Sequence, residues 1–255
     1  MTQPTFVITR YQYDSYDDLY HLIGLSGYPC CFVDEMDVED ASKVYILVTR
    51  NGEWGDGWAN AKARLIHYVF EWEQYPPIAG VTELWSPDAW HARLIGARYV
   101  PLGGHPGLMD HITPSPDEQY DVCFLAYLTG RRQHMRGMLS GAGYRLTPWS
   151  ARGKARDPLL QTSTLYLHVH QDEARPAVPA LRLIVAAAYS LPVICETPAD
   201  QGAFLGKIIT EDYNRIPVAL RHWLNEANGA WTYGDALYQY LCIDHNIIRC
   251  IEGAV

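Results

Sequence analysis

Polar side chains of three kinds stand at defined places in an otherwise apolar middle stretch of the chain. His168 and His170 alternate along a β-rich run, so both point to the same side of a predicted strand. Arg182 lies in the first turn of an apolar helical segment, where an arginine is costly unless it meets an anion. Glu196 and Thr197 directly follow another apolar run, and a carboxylate there suits the two hydroxyl donors of a ribose diol. These residue types predict a site for an anionic ligand that carries hydroxyl groups.

The elements that must position these side chains are a strand, a helix and a second strand. Residues 165–170 form a short apolar, β-rich run, which predicts a strand. Residues 179–189 are apolar nearly all round, which predicts a buried helix, and Pro179 stands near its first turn where no N–H partner is needed. Residues 191–195 predict the next strand. Together they form a βαβ unit, which implies a parallel sheet with both faces covered and ligands bound at the carboxyl ends of the strands.

A glycine turn upstream offers a second place for an anion. Residues 120–128 predict a strand, and Thr129-Gly130-Arg131-Arg132 follows it and opens an amphipathic helix that runs to Ala142. Free N–H groups and the helix dipole at such a start attract anions, and arginine adds a bidentate grip on phosphate. A solvated helix start is the alternative for each arginine. Trp149 either stacks on a nucleotide base or is an ordinary surface tryptophan.

The histidine pair raises the question of a metal site, which we do not expect. A third ligand would have to come from Asp172 or Glu173, and the same two acids are the alternative partners of Arg182 in a structural ion pair. The six cysteines form no metal-ligand pattern, and Cys123 and Cys195 lie inside apolar runs as small buried residues. Hydrogen bonds from the histidines to a ligand, or a structural role in the core, are favoured over a metal.

Composition excludes several classes of protein. The chain has 255 residues, of which 48% are hydrophobic, so it is long enough to bury a large core as one or two domains. The net charge of −9 argues against a general nucleic-acid binder, whose affinity comes mainly from neutralising phosphates. The N-terminal residues lack the pattern of a secretory signal, and no apolar run approaches the roughly 20 residues that cross a membrane. We therefore expect a soluble cytoplasmic protein with reduced thiols.

The remaining patterns fall into two groups, separated by a polar, proline-containing linker at residues 110–119. We expect an N-terminal domain over residues 1–112 and a C-terminal domain over residues 113–255, with the last helix, 235–255, packing back on the first. In the first group the patterns predict strands at 5–13, 28–33, 43–49, 65–72, 81–85 and 97–101, and helices at 16–25, 59–63 and 86–95. In the second group they predict further strands at 144–148 and 207–209, and helices at 158–163, 212–225 and 233–251.

Short motifs in both halves resemble those of one known family. In the second half these are the strand that ends in a histidine, Arg182-Leu183, Ala186-Ala187-Ala188, Pro192-Val193-Ile194 and Glu196. In the first half they are Gly52-Glu53-Trp54, Ile66-His67-Tyr68 with Glu71-Trp72-Glu73, Asp88-Ala89-Trp90 and residues 96–101. Order and type of these motifs resemble glycosyltransferases with the two-Rossmann GT-B fold, in particular the spore-coat-protein-like branch and enzymes encoded by bacteriophages.

The resemblance implies an α/β protein of two Rossmann-like halves, with a reduced N-terminal domain and a donor cleft between the halves. It implies transfer of a sugar from a nucleoside-diphosphate sugar without a bound metal or cofactor, in the host cytoplasm if the gene is a phage's. A virion protein or a modified base of phage DNA would be the acceptor, and the acidic balance favours protein. The donor-binding residues would be Thr129, Gly130, Arg131, Arg132, Trp149, His168, His170, Pro179, Arg182, Glu196 and Thr197.

One position departs from the family's pattern. The wider family has a glutamate in the middle of the 179–189 helix that holds the nucleotide ribose, whereas this chain has Val185. Either Glu196 does that work alone or the donor is held differently. This position gives weight to a non-catalytic nucleotide-binding protein as an alternative function. A nucleotide-sugar epimerase or hydrolase on the same fold is a separate alternative.

The catalytic base is the least determined part of the site. An inverting transferase needs a carboxylate or a histidine to take the acceptor proton, whereas a retaining enzyme can rely on the donor phosphate. Glu53, Asp56, Glu71 and His105 lie at predicted strand ends or in loops. We favour Glu53 and His105 because both stand in glycine-rich turns.

Overall fold

The chain folds into two units, each built around its own parallel sheet. The computed structural model describes residues 3–8, 17–48, 58–70, 78–109, 119–151, 155–225, 227–244 and 246–255. One unit consists of Met1–Leu102 together with Ile247–Val255, and the other of Gly103–Asn246. The boundary expected at residues 112/113 lies outside the described residues, and the predicted domain limits stay predictions. No helix of the described stretches has the length and hydrophobicity to cross a membrane.

Within the described residues, the sheet of the first unit consists of β1 (Thr5–Ile8), β2 (Cys30–Phe32), β3 (Val44–Leu47), β4 (Arg64–Tyr68), β5 (Val81–Ser86) and β6 (Arg98–Tyr99). These strands lie in the order β2-β1-β3-β4-β5-β6, with every neighbouring pair parallel. Its core includes Val7, Leu47 and Leu65, which lie on adjacent central strands. The C-terminal helix, Ile247–Glu252, belongs to this unit, where Arg98 donates a hydrogen bond to the carbonyl oxygen of Ala254 at 2.5 Å. The unit also contains the helices α1 (Asp17–Leu25) and α2 (Ala89–Ile95).

The second unit contains a four-stranded sheet in the order β10-β9-β8-β7, again parallel throughout. Its strands are β7 (Tyr120–Cys123), β8 (Ser163–His168), β9 (Val193–Glu196) and β10 (Ile209–Glu211). Its α-helices are α3 (Gly130–Gly141), α4 (Asp157–Gln161), α5 (Ala180–Ala188), α6 (Ile216–Asn225) and α7 (Ala227–Tyr238), and a π-helix follows at Gln239–Asp244. The predicted βαβ unit is therefore confirmed as β8-α5-β9.

The order of the second sheet reverses between β7 and β8. Val122 of β7 pairs with Leu165 of β8, and it also forms a parallel bridge with Leu146, which must lie on the other side of β7. The chain thus leaves β7, passes to the side of Leu146, and returns to build β8, β9 and β10 on the opposite side. In open α/β sheets such a reversal is the topological switch point, at whose carboxyl edge ligands bind.

The two faces of this sheet are covered by different helices. Met135 and Leu139 of α3, with Ile216 and Leu220 of α6, form one buried cluster with residues that include Leu167 of β8. Because alternate residues of a strand point to opposite faces, Tyr166 and His168 lie on the other face. Helix α5 packs against β9 and α7, and its residues Leu183 to Ala188 are all buried, which explains its uninterrupted apolar sequence.

Several predicted elements are corrected by hydrogen bonds between distant residues. The helix expected at residues 59–63 is wrong: Ala61 closes a turn on the Trp58 carbonyl, and Lys62 and Ala63 both donate to the carbonyl of Val38. The strand expected at 144–148 is reduced to the single bridge at Leu146. The strand expected at 207–209 lies at Ile209–Glu211, because the Lys207 N–H is held in a turn by Phe204. The helix expected at 233–251 is divided into α7, the π-helix and the C-terminal helix.

The strand predicted at 120–128 ends at Cys123, because the residues that follow bond to side chains instead of strands. Phe124 N–H donates to Oγ1 of Thr147 at 3.0 Å. The Phe124 carbonyl accepts from Arg136 at 3.3 Å, and the Tyr127 carbonyl accepts from Arg132 at 3.1 Å. Helix α3 therefore holds the segment that precedes it, and it starts at Gly130 as predicted.

We predict that Gly234→Ala destabilises the second unit. A Cβ at Gly234 would lie 1.8 Å from the carbonyl oxygen of Ser190, at the turn that leads from α5 into β9, so α7 would have to move away. Overpacking of this kind costs roughly 1–3 kcal/mol or more. The matched control is Gly137→Ala on the exposed face of α3, where nothing lies within 4 Å and alanine is expected to stabilise the helix by about 0.5–1 kcal/mol. Urea unfolding of both variants measures the difference, and equal effects would contradict the packing.

Candidate functional site

The segments that follow β7 and β8 are tied together at the switch point. Thr129, the residue before α3, donates from its hydroxyl to the carbonyl of Gln171 at 2.9 Å. Arg132, in the first turn of α3, donates from Nε to the carbonyl of Val169 at 2.9 Å. The predicted glycine turn and the predicted histidine strand therefore meet at one edge of the sheet. Gly130 stands in open space, because an added Cβ there would meet nothing within 4 Å.

Arg132 is a buried cation whose observed partners are uncharged. Its side chain belongs to a residue that is 4% exposed, and it donates to the carbonyls of Val169 and Tyr127. Burial lowers the pKa of Arg132 to about 10, with a further contribution from the positive charge of Arg182, so the guanidinium remains charged at neutral pH. Within the described residues no carboxylate lies close enough to Arg132 to form an ion pair. A buried guanidinium of this kind is stabilised by an anion.

Arg182 is a second cation at the same edge. It occupies the first turn of α5, it is exposed, and the described residues provide it with no hydrogen bond or ion pair. The alternative of a structural ion pair is not formed, because Asp172 contacts Arg175 at 3.6 Å and Glu173 contacts Arg131 at 2.8 Å. Arg132 and Arg182 therefore repel one another, and neither forms an ion pair with a described carboxylate.

Arg131 stands next to Arg132 but is already paired. Its Nη1 bonds to Glu173 at 2.8 Å, and its Nη2 bonds to Oε1 of Glu196. The guanidinium lies over the ring of Tyr213, 3.9 Å from the centroid, and the Tyr213 hydroxyl donates to the Arg131 carbonyl at 2.8 Å. This arrangement neutralises Arg131 and makes it the residue that positions Glu196. Its predicted contact with a phosphate stays a prediction.

Glu196 is fixed from two sides at the end of β9. One carboxylate oxygen meets Arg131, and the other accepts a hydrogen bond from the backbone N–H of His170 at 2.9 Å. The neighbouring Thr197 uses its N–H on the carbonyl of Glu211, and its hydroxyl lies 3.4 Å from Asp212. Because each carboxylate oxygen has a second lone pair, Glu196 can still accept from a ligand hydroxyl.

The two histidines lie side by side, as predicted, although β8 ends at His168 and His170 follows the strand. Their ring centroids are 5.5 Å apart. Burial, and then the charges of Arg182, His170 and Arg132, hold the pKa of His168 well below its usual range. The pKa of His170 is also lowered, chiefly by burial. Both rings are therefore neutral at pH 7.

The prediction from sequence missed two tyrosines at this edge. Tyr166 precedes His168 by two residues, so the same alternation places it on the same face of β8. Burial raises the pKa of Tyr166 to about 12, against the opposing charges of Arg182, Arg156 and Arg132. The alternation was a usable signal for Tyr166. Tyr213 comes from the turn after β10 and had no local signal.

Three further predicted residues, Pro179, Trp149 and His105, lie within the described part of the chain. Pro179 is the residue before α5, and its carbonyl accepts from the Leu183 N–H at 3.1 Å. Trp149 is 44% exposed. His105 accepts a hydrogen bond at Nδ1 from the Gly107 N–H at 3.0 Å, ahead of a 3₁₀-helix that packs against α5. Glu53, Asp56 and Glu71 lie outside the described residues. The described part of the chain contains no cluster of three acidic, histidine or cysteine side chains suited to a metal.

We predict that Arg131→Ala lowers the free energy of unfolding by roughly 3 kcal/mol, because it leaves the Glu196 carboxylate buried without its counter-ion. The control is Arg145→Ala, whose partner Asp121 and whose own side chain are more exposed, so the cost is about 0–1 kcal/mol. Chemical unfolding of both variants measures the two costs. Equal costs would show that the Arg131–Glu196 pair does not hold the site.

Comparison with known proteins places this geometry on a known fold. No protein-family model matches the sequence, and no curated protein matches it. AviGT4, a glycosyltransferase involved in avilamycin A biosynthesis, matches with a TM-score of 0.57 and 10% identity over 99% of this chain and 96% of that one. T4 phage β-glucosyltransferase, in a complex with UDP and Mn²⁺, matches with a TM-score of 0.57 and 10% identity over 98% and 97%. TarM matches with a TM-score of 0.55 and 9% identity over 85% of this chain and 54% of its own, so this chain spans about half the length of TarM.

These likenesses bear on the fold. Sequence identity near 10% with nearly complete coverage of both chains means that the arrangement of elements is shared while most side chains differ. Assignment to the spore-coat-protein-like branch stays a prediction. The resemblance found in the sequence is confirmed at the level of architecture, and the chain has the GT-B fold of these glycosyltransferases.

Proposed function

We propose that this protein is a glycosyltransferase that moves a sugar from a nucleoside-diphosphate sugar to an acceptor. The observation that carries the proposal is the pair formed by Arg132 and Arg182 at the switch point, two guanidinium groups without a carboxylate partner in the described residues. The GT-B fold supports the proposal, since the similar structures include glycosyltransferases with bound UDP and UDP-glucose.

A diphosphate satisfies the charges that the protein leaves unpaired. Arg132 has five N–H donors, and the carbonyls of Val169 and Tyr127 use one each at Nε and Nη1. The remaining donors and those of Arg182 fit phosphate oxygens in the planar, bidentate manner typical of arginine. The N-termini of α3 and α5 add partial positive charge at the same edge. As the bond between sugar and phosphate breaks, these groups stabilise the charge that grows on the leaving diphosphate.

Ribose binding is proposed for Glu196. Its carboxylate stands at the end of β9, next to the end of β8, and it is held in place by Arg131 and the His170 N–H. A carboxylate fixed in this way accepts hydrogen bonds from a diol without having to reorganise. Trp149, which is partly exposed, is proposed to stack on the base.

The catalytic residues proposed are Glu53 and His105, in different roles. The Nδ1 of His105 accepts from the Gly107 N–H, so a neutral ring carries its proton on Nε2. His105 can then donate a hydrogen bond but must give up its contact with Gly107 before it can take a proton. Glu53 is therefore the preferred base for an inverting reaction.

We further propose that transfer needs no bound metal, because two arginines supply the charge that a divalent cation would otherwise neutralise. Protein is the proposed acceptor rather than DNA, since the chain carries a net charge of −9 and would be repelled by a polyanion. T4 phage β-glucosyltransferase is a DNA-modifying enzyme and has been crystallised with Mn²⁺, so the turnover experiment includes DNA as an acceptor and EDTA as a test for a metal.

We predict that Arg182→Ala weakens binding of a nucleoside diphosphate by on the order of a hundredfold or more, because two charge-assisted hydrogen bonds of roughly 1.5–3 kcal/mol each are lost. The melting temperature is expected to stay constant or rise slightly, since the change removes the repulsion with Arg132. Titration calorimetry against UDP, GDP, TDP and ADP measures the affinities.

Arg215→Ala is the control for this experiment, because Arg215 is an exposed arginine of the same unit that pairs with Glu211. It should leave both quantities unchanged. Failure of all four nucleotides to bind the wild-type protein at millimolar concentration would defeat the proposed function. A lower melting temperature with unchanged affinity would remove Arg182 from the site.

Turnover gives the second test. With a nucleotide sugar whose sugar is radiolabelled, label is expected in protein of a host or phage lysate, at a rate that EDTA changes by less than about twofold. Hydroxymethylated DNA serves as the competing acceptor. Loss of activity in EDTA and its recovery with Mn²⁺ would contradict metal independence, and label in DNA alone would reverse the order of acceptors. Free sugar or an epimer as the main product would favour a hydrolase or an epimerase.

A further inference from the structure

His170, whose backbone N–H donates to Glu196, contains a buried polar atom without a hydrogen-bond partner among the described residues. The residue is 2% exposed, and the atom is Nδ1 of its ring. Its other ring nitrogen, Nε2, lies 3.2 Å from the carbonyl oxygen of Thr197. A buried polar atom without a partner costs free energy, so a ligand atom that forms a hydrogen bond with Nδ1 would stabilise the protein.

The contact with Thr197 fixes the position of the proton on the ring. A backbone carbonyl oxygen only accepts hydrogen bonds, so Nε2 must carry a hydrogen. A neutral imidazole with hydrogen on Nε2 presents a lone pair at Nδ1. The free atom is therefore an acceptor, and its partner must be a donor.

The surroundings of the ring keep it neutral. Burial, Arg131 and Arg132 lower the pKa of His170, while Glu196 and the Thr197 carbonyl raise it, and the lowering dominates. His168, whose ring lies 5.5 Å away, is also neutral and makes no hydrogen bond to His170. Protonation of Nδ1, which would turn it into a donor for phosphate, is thus opposed by the guanidinium groups nearby.

We propose that Nδ1 of His170 accepts a hydrogen bond from an alcohol hydroxyl of the bound ligand. The inference rests on the proposed function, and it separates the residues that would bind phosphate from those that would bind hydroxyl groups. Ionised phosphate oxygens are acceptors and have nothing to donate to Nδ1, so they belong with Arg132 and Arg182. A sugar hydroxyl can donate to Nδ1 and leaves its own oxygen free for another contact. His170 and Glu196, which are joined by the His170 N–H, then form one hydroxyl-binding pair.

Such a hydroxyl comes either from the ribose of the nucleotide or from the sugar that is transferred. Both carry vicinal alcohols, and Nδ1 of His170 would accept a hydrogen bond from either in the same way. The two sources are separated by ligands that contain neither, one or both of them: inorganic pyrophosphate, UDP and UDP-glucose.

The test uses His170→Gln in the full-length protein. A glutamine amide reaches the place of Nε2 and can donate to the Thr197 carbonyl, but it has no acceptor at the place of Nδ1. Calorimetry is expected to show unchanged affinity for pyrophosphate and an affinity for UDP-glucose reduced roughly fivefold to tenfold, the effect of one hydrogen bond. If the hydroxyl belongs to the ribose, UDP weakens equally; if it belongs to the transferred sugar, UDP is unaffected.

Equal weakening of all three ligands, pyrophosphate included, would overturn the inference and assign His170 to the phosphates. Unchanged affinity for all three would overturn it as well. If none of the three ligands binds the wild-type protein, the proposed function fails. This outcome is distinct from the two above, in which the wild-type protein binds the ligands and only the effect of His170→Gln departs from the expected result.

A second measurement does not depend on the variant's folding. Nitrogen-15 spectra of the histidine rings in the wild-type protein distinguish a bare Nδ1 from a protonated one. The inference requires a bare Nδ1 on His170 without ligand and a shift of that resonance toward the hydrogen-bonded range when UDP-glucose is added. A protonated Nδ1 at pH 7, or a resonance that UDP-glucose leaves unchanged while it binds, would overturn the inference.

Discussion

The site depends on the hydrogen bonds that the buried guanidinium of Arg132 makes. Parallel strands that end at a switch point leave carbonyl groups that no neighbouring strand can pair. Arg132 reaches across this edge and bonds to two of them, at Val169 after β8 and at Tyr127 after β7. A positive charge is thus placed at the ends of both strands as part of the fold. A bound anion would stabilise this buried charge.

Three arginines lie at this edge, and they differ in whether a carboxylate pairs with them. Arg131 is held by Glu173 and Glu196 and stacks on Tyr213, so its charge is compensated within the unit. Arg132 and Arg182 act on each other and on His168, and neither forms an ion pair with a described carboxylate. The carboxylates of Glu196 and Asp172 offset part of the Arg132 charge. The paired arginine keeps a carboxylate in position, and the two arginines without an ion pair supply the positive charge to which the proposed function assigns a phosphate.

The strands and helices that carry the site could be predicted from the sequence. Which of the arginines is paired with a carboxylate could not. The βαβ unit was visible because buried parallel strands and a buried helix are apolar throughout, and the start of α3 was visible because glycine and polar residues interrupt such a run. Arg131 and Arg132 are adjacent and identical in type, yet a helix turns by about 100° per residue, so they point to different neighbours. Those neighbours, Glu196 and Val169, lie far along the chain. The helix expected at 59–63 failed for the same reason, since bonds to the Val38 carbonyl outweighed the local propensity of its alanines.

Val185 marks a position at which this chain differs from the family that its sequence resembles. It follows Arg182 by three residues and so lies one turn further along α5, where the family resemblance leads one to expect a glutamate. In this chain the position is buried in a helix whose neighbours are leucine, isoleucine and alanine, and a carboxylate there would lose hydration. Glu196 avoids that cost, because Arg131 and the His170 N–H compensate it at the end of β9. The proposed function accordingly assigns recognition of hydroxyl groups to the ends of two strands instead of the middle of the helix, where a buried carboxylate, a neutral histidine and a paired arginine are found together.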